Sequence, residues 1–271
     1  VFCPCEPPNQ RVGASGGVPG ERDFAQLIMD KILNLPILAS EGGADSDRLI
    51  IFLHWLMFAL FIGWLTYFLF ALFRFKQTAK SKANYHGVRS HFSSYVELLV
   101  AGIEAVLLIF VAYPVWARHT SGFPKESEAT VIQVVGQQFA WNARYPGKDA
   151  TFGKQDMTRV AENNLFGVDP NDANGKDDVQ VLNELHVPVN KPVICYISSK
   201  DVIHSFRLMA MRVTQDAIPG MRIPIWFKPI KEGNFQIYCA QLCGNGHAAM
   251  AGGRLVVESQ SAYDKWLSSK S

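Results

Sequence analysis

The stretch LIIFLHWLMFALFIGWLTYFLFALF, Leu49–Phe73, holds no Asp, Glu, Lys or Arg. At about 1.5 Å per residue, a helix of this length crosses the roughly 30 Å hydrocarbon core of a bilayer. It therefore predicts a membrane span. A second stretch, from about Tyr95 to Trp116, is apolar apart from Glu97 and Glu104 and predicts the return crossing. Between the two stand Arg74, Lys76, Lys80, Lys82 and Arg89 with no acidic residue. Short basic connections of this kind stay on the inner side of the membrane, so both termini are expected outside. The segment before the first span agrees, with Glu6, Glu21, Asp23, Asp30, Glu41, Asp45 and Asp47 against few bases. The chain starts at Val1, which is the expectation for a removed secretory signal.

Beyond the spans the composition changes. After Arg118 come short β-branched runs separated by Gly, Pro, Asn and Asp: 131–135, 179–187, 193–197, 223–227, 234–238 and 254–258. Strand length and partial alternation predict a small β-sandwich or Greek-key barrel, which holds ligands rigidly in the loops at one end. Residues 147–178 are turn-rich and acidic (Asp169, Asp172, Asp177, Asp178) and read as a solvated loop, with calcium binding or partner docking as the alternative. Residues 23–39 have apolar positions at helical spacing, for a helix lying on the outer membrane surface or packed on a neighbouring subunit. The net charge of +2 over 271 residues gives no reason to expect a nucleic-acid partner.

Near the C-terminus the chain reads Cys239-Ala-Gln-Leu-Cys243-Gly-Asn-Gly-His247-Ala-Ala-Met250, and upstream Asp201-Val-Ile-His204-Ser-Phe. Two thiolates, two imidazoles and a thioether suit copper better than magnesium, calcium or a carboxylate-bridged iron pair. A mononuclear blue-copper site needs one Cys; the second thiolate can bridge a second copper. A structural zinc site would close a tetrahedron without the further His and Met. A Cys239–Cys243 disulfide is the plainer alternative and leaves His204, His247 and Met250 unexplained. Cys195 sits inside an apolar strand and reads as a buried small hydrophobe. Cys3 and Cys5 flank a Pro, with lipidation, an interchain disulfide and disorder all open.

The run from Asp201 to Met250, including Gln215-Asp216-Ala-Ile-Pro219-Gly220, closely resembles subunit II of cytochrome c oxidase with its dinuclear copper A centre. The resemblance implies a membrane-anchored α+β chain, a two-helix transmembrane hairpin followed by a cupredoxin-like domain. It implies that Cys239 and Cys243 bridge two coppers, that His204 and Met250 complete one, and that His247 with the backbone carbonyl of Gln241 completes the other. Glu97 aligns with a glutamate at the mouth of a proton channel of subunit I; an interfacial carboxylate is the alternative. Phe139 stands where the family places a Trp that receives electrons from cytochrome c, and Trp141 holds the neighbouring aromatic position, with packing inside the sandwich the alternative for both. Gln241 replaces a glutamate whose side chain helps bind magnesium at the boundary with subunit I, so that site is expected to be weakened. Asp216 is expected in a turn, with the polar boundary to subunit I as the alternative.

The expected organisation is an outward segment 1–45, a transmembrane hairpin 46–118 with spans near 49–73 and 95–116, and a copper domain 119–271. The resemblance places the chain in a bacterial inner membrane with the copper domain and both termini on the periplasmic side. Its expected partners are subunit I, which carries the haems and a further copper, other oxidase subunits, membrane lipid, and cytochrome c or a cytochrome c domain as donor. The role implied is one-electron transfer in an oxidoreductase that reduces oxygen and translocates protons. A copper-A subunit of another haem-copper enzyme, such as a nitric oxide reductase, is the alternative. No Cys-x-x-Cys-His haem motif occurs in the sequence, so the donor is expected to be another chain.

Overall fold

The computed structural model describes residues 24–78, 82, 85–87 and 90–270. Cys3, Cys5 and the acidic residues up to Asp23 lie outside them. The chain divides into two units, 1–35 and 36–271. In the first, helix α1 spans Phe24–Leu33. It stops short of residue 39 because Asn34 takes φ of 46°, a left-handed helix stop, and Pro36 cannot extend a helix.

In the second unit, α2 (Gly43–Arg74) is one continuous helix. A second helical stretch, Phe92–Ser121, comprises α3 (Phe92–Leu107), a π-helical turn over Leu108–Ala112 and α4 (Tyr113–Ser121). The two have mean hydropathies of 2.2 and 2.4 with none of their most apolar windows buried. Phe61, Trp64 and Phe73 are 63%, 67% and 80% exposed, apolar surface that suits lipid rather than water. Both helices run past their apolar stretches, because polar turns such as Gly43–Arg48 keep their backbone bonds intact in water as well. The π turn has a local cause. Pro114 has no amide to give the turn below it and its ring crowds that turn, so the helix widens before α4 resumes.

The globular part contains three sheets. Strands β1 (Thr130–Gln137), β2 (Ala140–Tyr145), β3 (Val179–Leu182), β5 (Val193–Ser199) and β8 (Ile223–Phe227) form one, in the order β3-β2-β1-β5-β8. β4 (Glu184–Pro188), β9 (Gly233–Gln236) and β11 (Arg254–Glu258) form a second, in the order β4-β11-β9. β6 (His204–Leu208), β7 (Val213–Ala217) and β10 (Tyr238–Cys239) form the third, with β6 central. β1 and β5 run parallel, as do β4 and β11.

Inward positions of β1, β2 and β5 (Ile132, Val134, Trp141, Ala143, Tyr145, Cys195, Ile197) share one core with Leu185, Val187, Phe206, Leu208, Leu255 and Val257. The Tyr145 hydroxyl donates to the His186 carbonyl at 3.0 Å and accepts the His186 amide at 2.7 Å, pinning β2 to β4. The C-terminal helix α5 (Gln260–Lys270) lays Trp266 flat on His186, ring centroids 4.1 Å apart.

Three expectations are corrected. The run 179–187 is two strands in different sheets, because Asn183 adopts φ of 57° and turns the chain between them. Asp216 lies in β7 opposite Ser205, not in a turn; the turn follows it, closed by the Met221 amide on the Ile218 carbonyl. Residues 147–178 are not merely a solvated loop. Asp178 pairs with Arg144 of β2, their side chains 1% and 0% exposed, and Arg144 also donates to Gln133 and to the Gly153 carbonyl. The loop thereby covers the outer face of β1 and β2.

The base of the hairpin is tied to the sandwich by Arg212, whose guanidinium donates to Asp47 of α2 at 2.7 and 3.0 Å and to the Pro36 carbonyl at 2.6 Å. Arg212 itself sits at φ of 58°, where any residue with a Cβ is strained by about 1–2 kcal/mol. Arg212→Ala loses the clamp and keeps the strain; Arg212→Gly loses the clamp and relieves it. The Gly variant is therefore expected to be about 1 kcal/mol more stable than the Ala variant in thermal unfolding of the detergent-purified protein, and equal stabilities would contradict this account.

Candidate metal centre

Three short pieces of chain meet at one end of the sandwich. His204 opens β6; Cys239 closes β10, opposite Phe206 in β6; and a 3₁₀ turn, His247–Gly252, carries His247 and Met250. Residues three apart in a 3₁₀ turn eclipse one another, which is why Met250 follows His247 by three and faces the same centre. The connecting loop lies against Phe139. A Cβ on Gly246 would stand 2.3 Å from the Phe139 ring, and Gly244 takes φ of 133°, so glycine is required at both positions.

The donor atoms converge. The Cys239 and Cys243 sulfurs are 4.0 Å apart, and both thiols are free; a disulfide would need about 2.05 Å. Cys239 Sγ lies 3.9 Å from His204 Nδ1 and 3.1 Å from the Gln241 carbonyl oxygen. Cys243 Sγ lies 3.4 Å from His247 Nδ1 and 3.4 Å from Met250 Sδ. His204, Cys239 and Cys243 place their ligand atoms within 4.8 Å of one another. His204 and Met250 are fully buried and Cys243 nearly so, while Gln241 and His247 mark the accessible side.

Asp201 and Gln138 hold this arrangement, and sequence reasoning gave neither a role. Asp201 Oδ1 lies 2.9 Å from His204 Nε2, which leaves Nδ1 to face the sulfurs, as outer-sphere carboxylates do for metal-ligating histidines. Burial opposes the Asp201 charge, but the Gln138 and Val202 amides and the His204 ring outweigh it and hold the carboxyl below its usual range. Gln138 donates its backbone amide to Asp201 at 2.8 Å and its side-chain amide to the Cys243 carbonyl at 2.6 Å. A carboxylate three residues before a candidate ligand His was the one available sign. Burial, followed by the neighbouring Cys239, pushes the Cys243 thiol up to about 11. A cation must displace that proton to bind the thiolate.

The remaining site candidates separate. Phe139 is half-buried over the metal loop; Trp141 is fully buried, its ring edge-on to His204 at 6.0 Å between centroids. Glu97 is exposed on α3, remote from this centre in the chain.

The donor set fits a pair of soft cations better than one ion. Six donors exceed a closed zinc tetrahedron, and each sulfur has an imidazole of its own plus one further donor. The family described as "Cytochrome C oxidase subunit II, periplasmic domain" matches residues 130–259. The alternative cytochrome c oxidase subunit 2 of Bradyrhizobium diazoefficiens is 30% identical over 233 residues, covering 86% of this chain and 82% of the relative. The chain belongs to the cytochrome c oxidase subunit II family. The cytochrome c oxidase subunit 2 of Cereibacter sphaeroides is likewise 30% identical, over 94% of this subunit II chain and 88% of its own. Among solved structures, the periplasmic domain of subunit II of cytochrome oxidase (CoxB) of Bradyrhizobium japonicum has 32% identity, covers 54% of this chain and 95% of that one, and superposes with a TM-score of 0.40. This subunit II is thus part of an oxidoreductase complex, its hairpin supplying two helices long and apolar enough to cross a membrane and its sandwich a His/Cys group that could hold a metal ion.

Proposed function

We propose that the centre binds two coppers as a copper A site, receives electrons from a cytochrome c or cytochrome c domain and delivers them to the haem of subunit I, which reduces oxygen with proton translocation. The observation that carries this reading is the pairing around each sulfur. If His204 and Met250 serve one ion and His247 with the Gln241 carbonyl the other, then each thiolate has a neighbour from both sets: Cys239 has His204 and Gln241, and Cys243 has Met250 and His247. That is what two bridging sulfurs require. When bound, the copper pair supplies one-electron redox chemistry with the charge spread over two metals.

The residues of this chain keep the donors still. Asp201 fixes the His204 ring, Trp141 backs it, and Gln138 ties the Cys243 carbonyl to β1. Small rearrangement on a change of charge favours fast transfer, and the protein's part is orientation and electrostatic tuning. Phe139, over the loop, is the aromatic best placed toward an incoming donor; Trp141 is a wall of the His204 pocket. Exposed Leu242, 79% accessible beside Cys243, offers an apolar contact for that donor. Glu97 is the proposed point of proton uptake toward subunit I. The basic connection between spans supports an orientation with the sandwich and both termini on the outer side of a bacterial inner membrane, and Gln241 predicts a weakened or differently built magnesium site.

Copper content and paramagnetic resonance of the copper-loaded, detergent-purified chain test the proposal. Two coppers per chain sharing one unpaired electron are expected; a single-copper spectrum would overturn the assignment.

A further inference from the structure

Glu104 is not used by any role assigned so far, and its position is costly. It follows Glu97 by seven residues on α3, so the two lie within about 20° of one helix face and about 10 Å apart along the axis. Counted from Phe92, Glu104 is about 18 Å into the helix at 1.5 Å per residue, near the middle of the 30-residue apolar stretch. It is exposed on the helix surface, as is Glu97, and neither carboxyl has a hydrogen-bond or ion-pair partner among the described residues. Ionisable groups at such depth face protein or water rather than lipid and mark proton or ion routes. Val100 and Ala101 flank the line between the two carboxyls, one on either side of that face.

Resting on the oxidase reading above, we propose that Glu104 is a second protonation site of this chain, relaying protons from Glu97 at the inner surface to the partner subunit that reduces oxygen. A proton leaves water for the Glu97 carboxylate, crosses to the Glu104 carboxylate through a short chain of waters, and passes to the partner, where oxygen reduction consumes it. Both carboxylates end as they began.

The test uses the assembled oxidase in sealed vesicles with Glu104→Gln and Glu104→Asp. For Glu104→Gln, turnover and proton uptake from the inner side are expected to fall about a hundredfold, at the low end of what a positioned proton donor contributes. The copper signal and the rate of copper reduction by the donor should stay unchanged, and Glu104→Asp should recover most of the loss. Normal turnover and uptake in Glu104→Gln would overturn the relay. Should that variant fail to assemble, the infrared difference spectrum of Glu104→Asp decides: a displaced protonated-carboxyl band supports the relay, and a spectrum identical to the parent's overturns it. A parent complex without the copper signal would fault the oxidase reading itself, which these variants do not address.

Discussion

Cys243→Ser should abolish the copper pair. The Cys243 sulfur stands 3.4 Å from both His247 Nδ1 and Met250 Sδ and 4.0 Å from the other thiol, so its loss removes the one donor that neighbours both ligand sets on its side. A hydroxyl is a harder and far less acidic donor than a thiol. The fall in copper affinity should exceed the roughly 100-fold cost of losing an outer-sphere partner, and the spectrum of a shared unpaired electron should vanish. Cys195→Ser is the matched control. That thiol is fully buried between strands, and burial pushes it up to about 12, which makes it inert toward metals and oxidants. Its replacement should leave the copper spectrum intact and cost about 1–3 kcal/mol for a buried hydroxyl. Titration with copper followed by paramagnetic resonance separates the two; the reverse pattern would refute the ligand assignment.

Asp178→Ala should lower the stability of the sandwich by about 3–5 kcal/mol, because it leaves the Arg144 guanidinium charged and buried without its carboxylate. Arg144 is 0% exposed, and its remaining partners are the neutral Gln133 and Gly153 carbonyls and the face of Phe152 at 5.3 Å. Removing both charges together, as Arg144→Met with Asp178→Leu, should recover most of that loss, since a well-packed apolar pair of similar volume is often no worse than a buried ion pair. Urea unfolding measures both. A double variant as unstable as Asp178→Ala would show that the loop is held by shape and hydrogen bonds rather than by charge compensation.

The soft donors that meet at one end of the sandwich and the two long apolar helices were readable because their signals are local. Soft donors clustered in twelve residues, and long apolar runs, need no knowledge of distant chain. The gaps arose where local signals compete with tertiary context. Strand β2, Ala140–Tyr145, is buried on both faces, because the 147–178 loop covers the side that carries Asn142 and Arg144; its polar residues therefore did not read as a strand. Strand β6 is buried at four of its five positions and so shows no alternation, and β10 is two residues long, below the length at which alternation can appear. Asn183 breaks a run whose β-branched composition is otherwise continuous, and no rule of composition says that its two halves join different sheets.

From its sequence alone the chain determined that it has two helices long and apolar enough to cross a membrane, that a β domain follows, and which side chains are soft enough to hold copper. These depend on hydropathy, period and donor chemistry, all of which are written residue by residue. The tertiary structure decided how the donors meet: that each sulfur neighbours one donor of each set, that Asp201 turns His204 toward them, that Gly244 and Gly246 let the loop close over Phe139, and that Arg212 binds the sandwich to the hairpin. Those are distances between residues as much as 176 positions apart, and only the packing of the whole chain sets them.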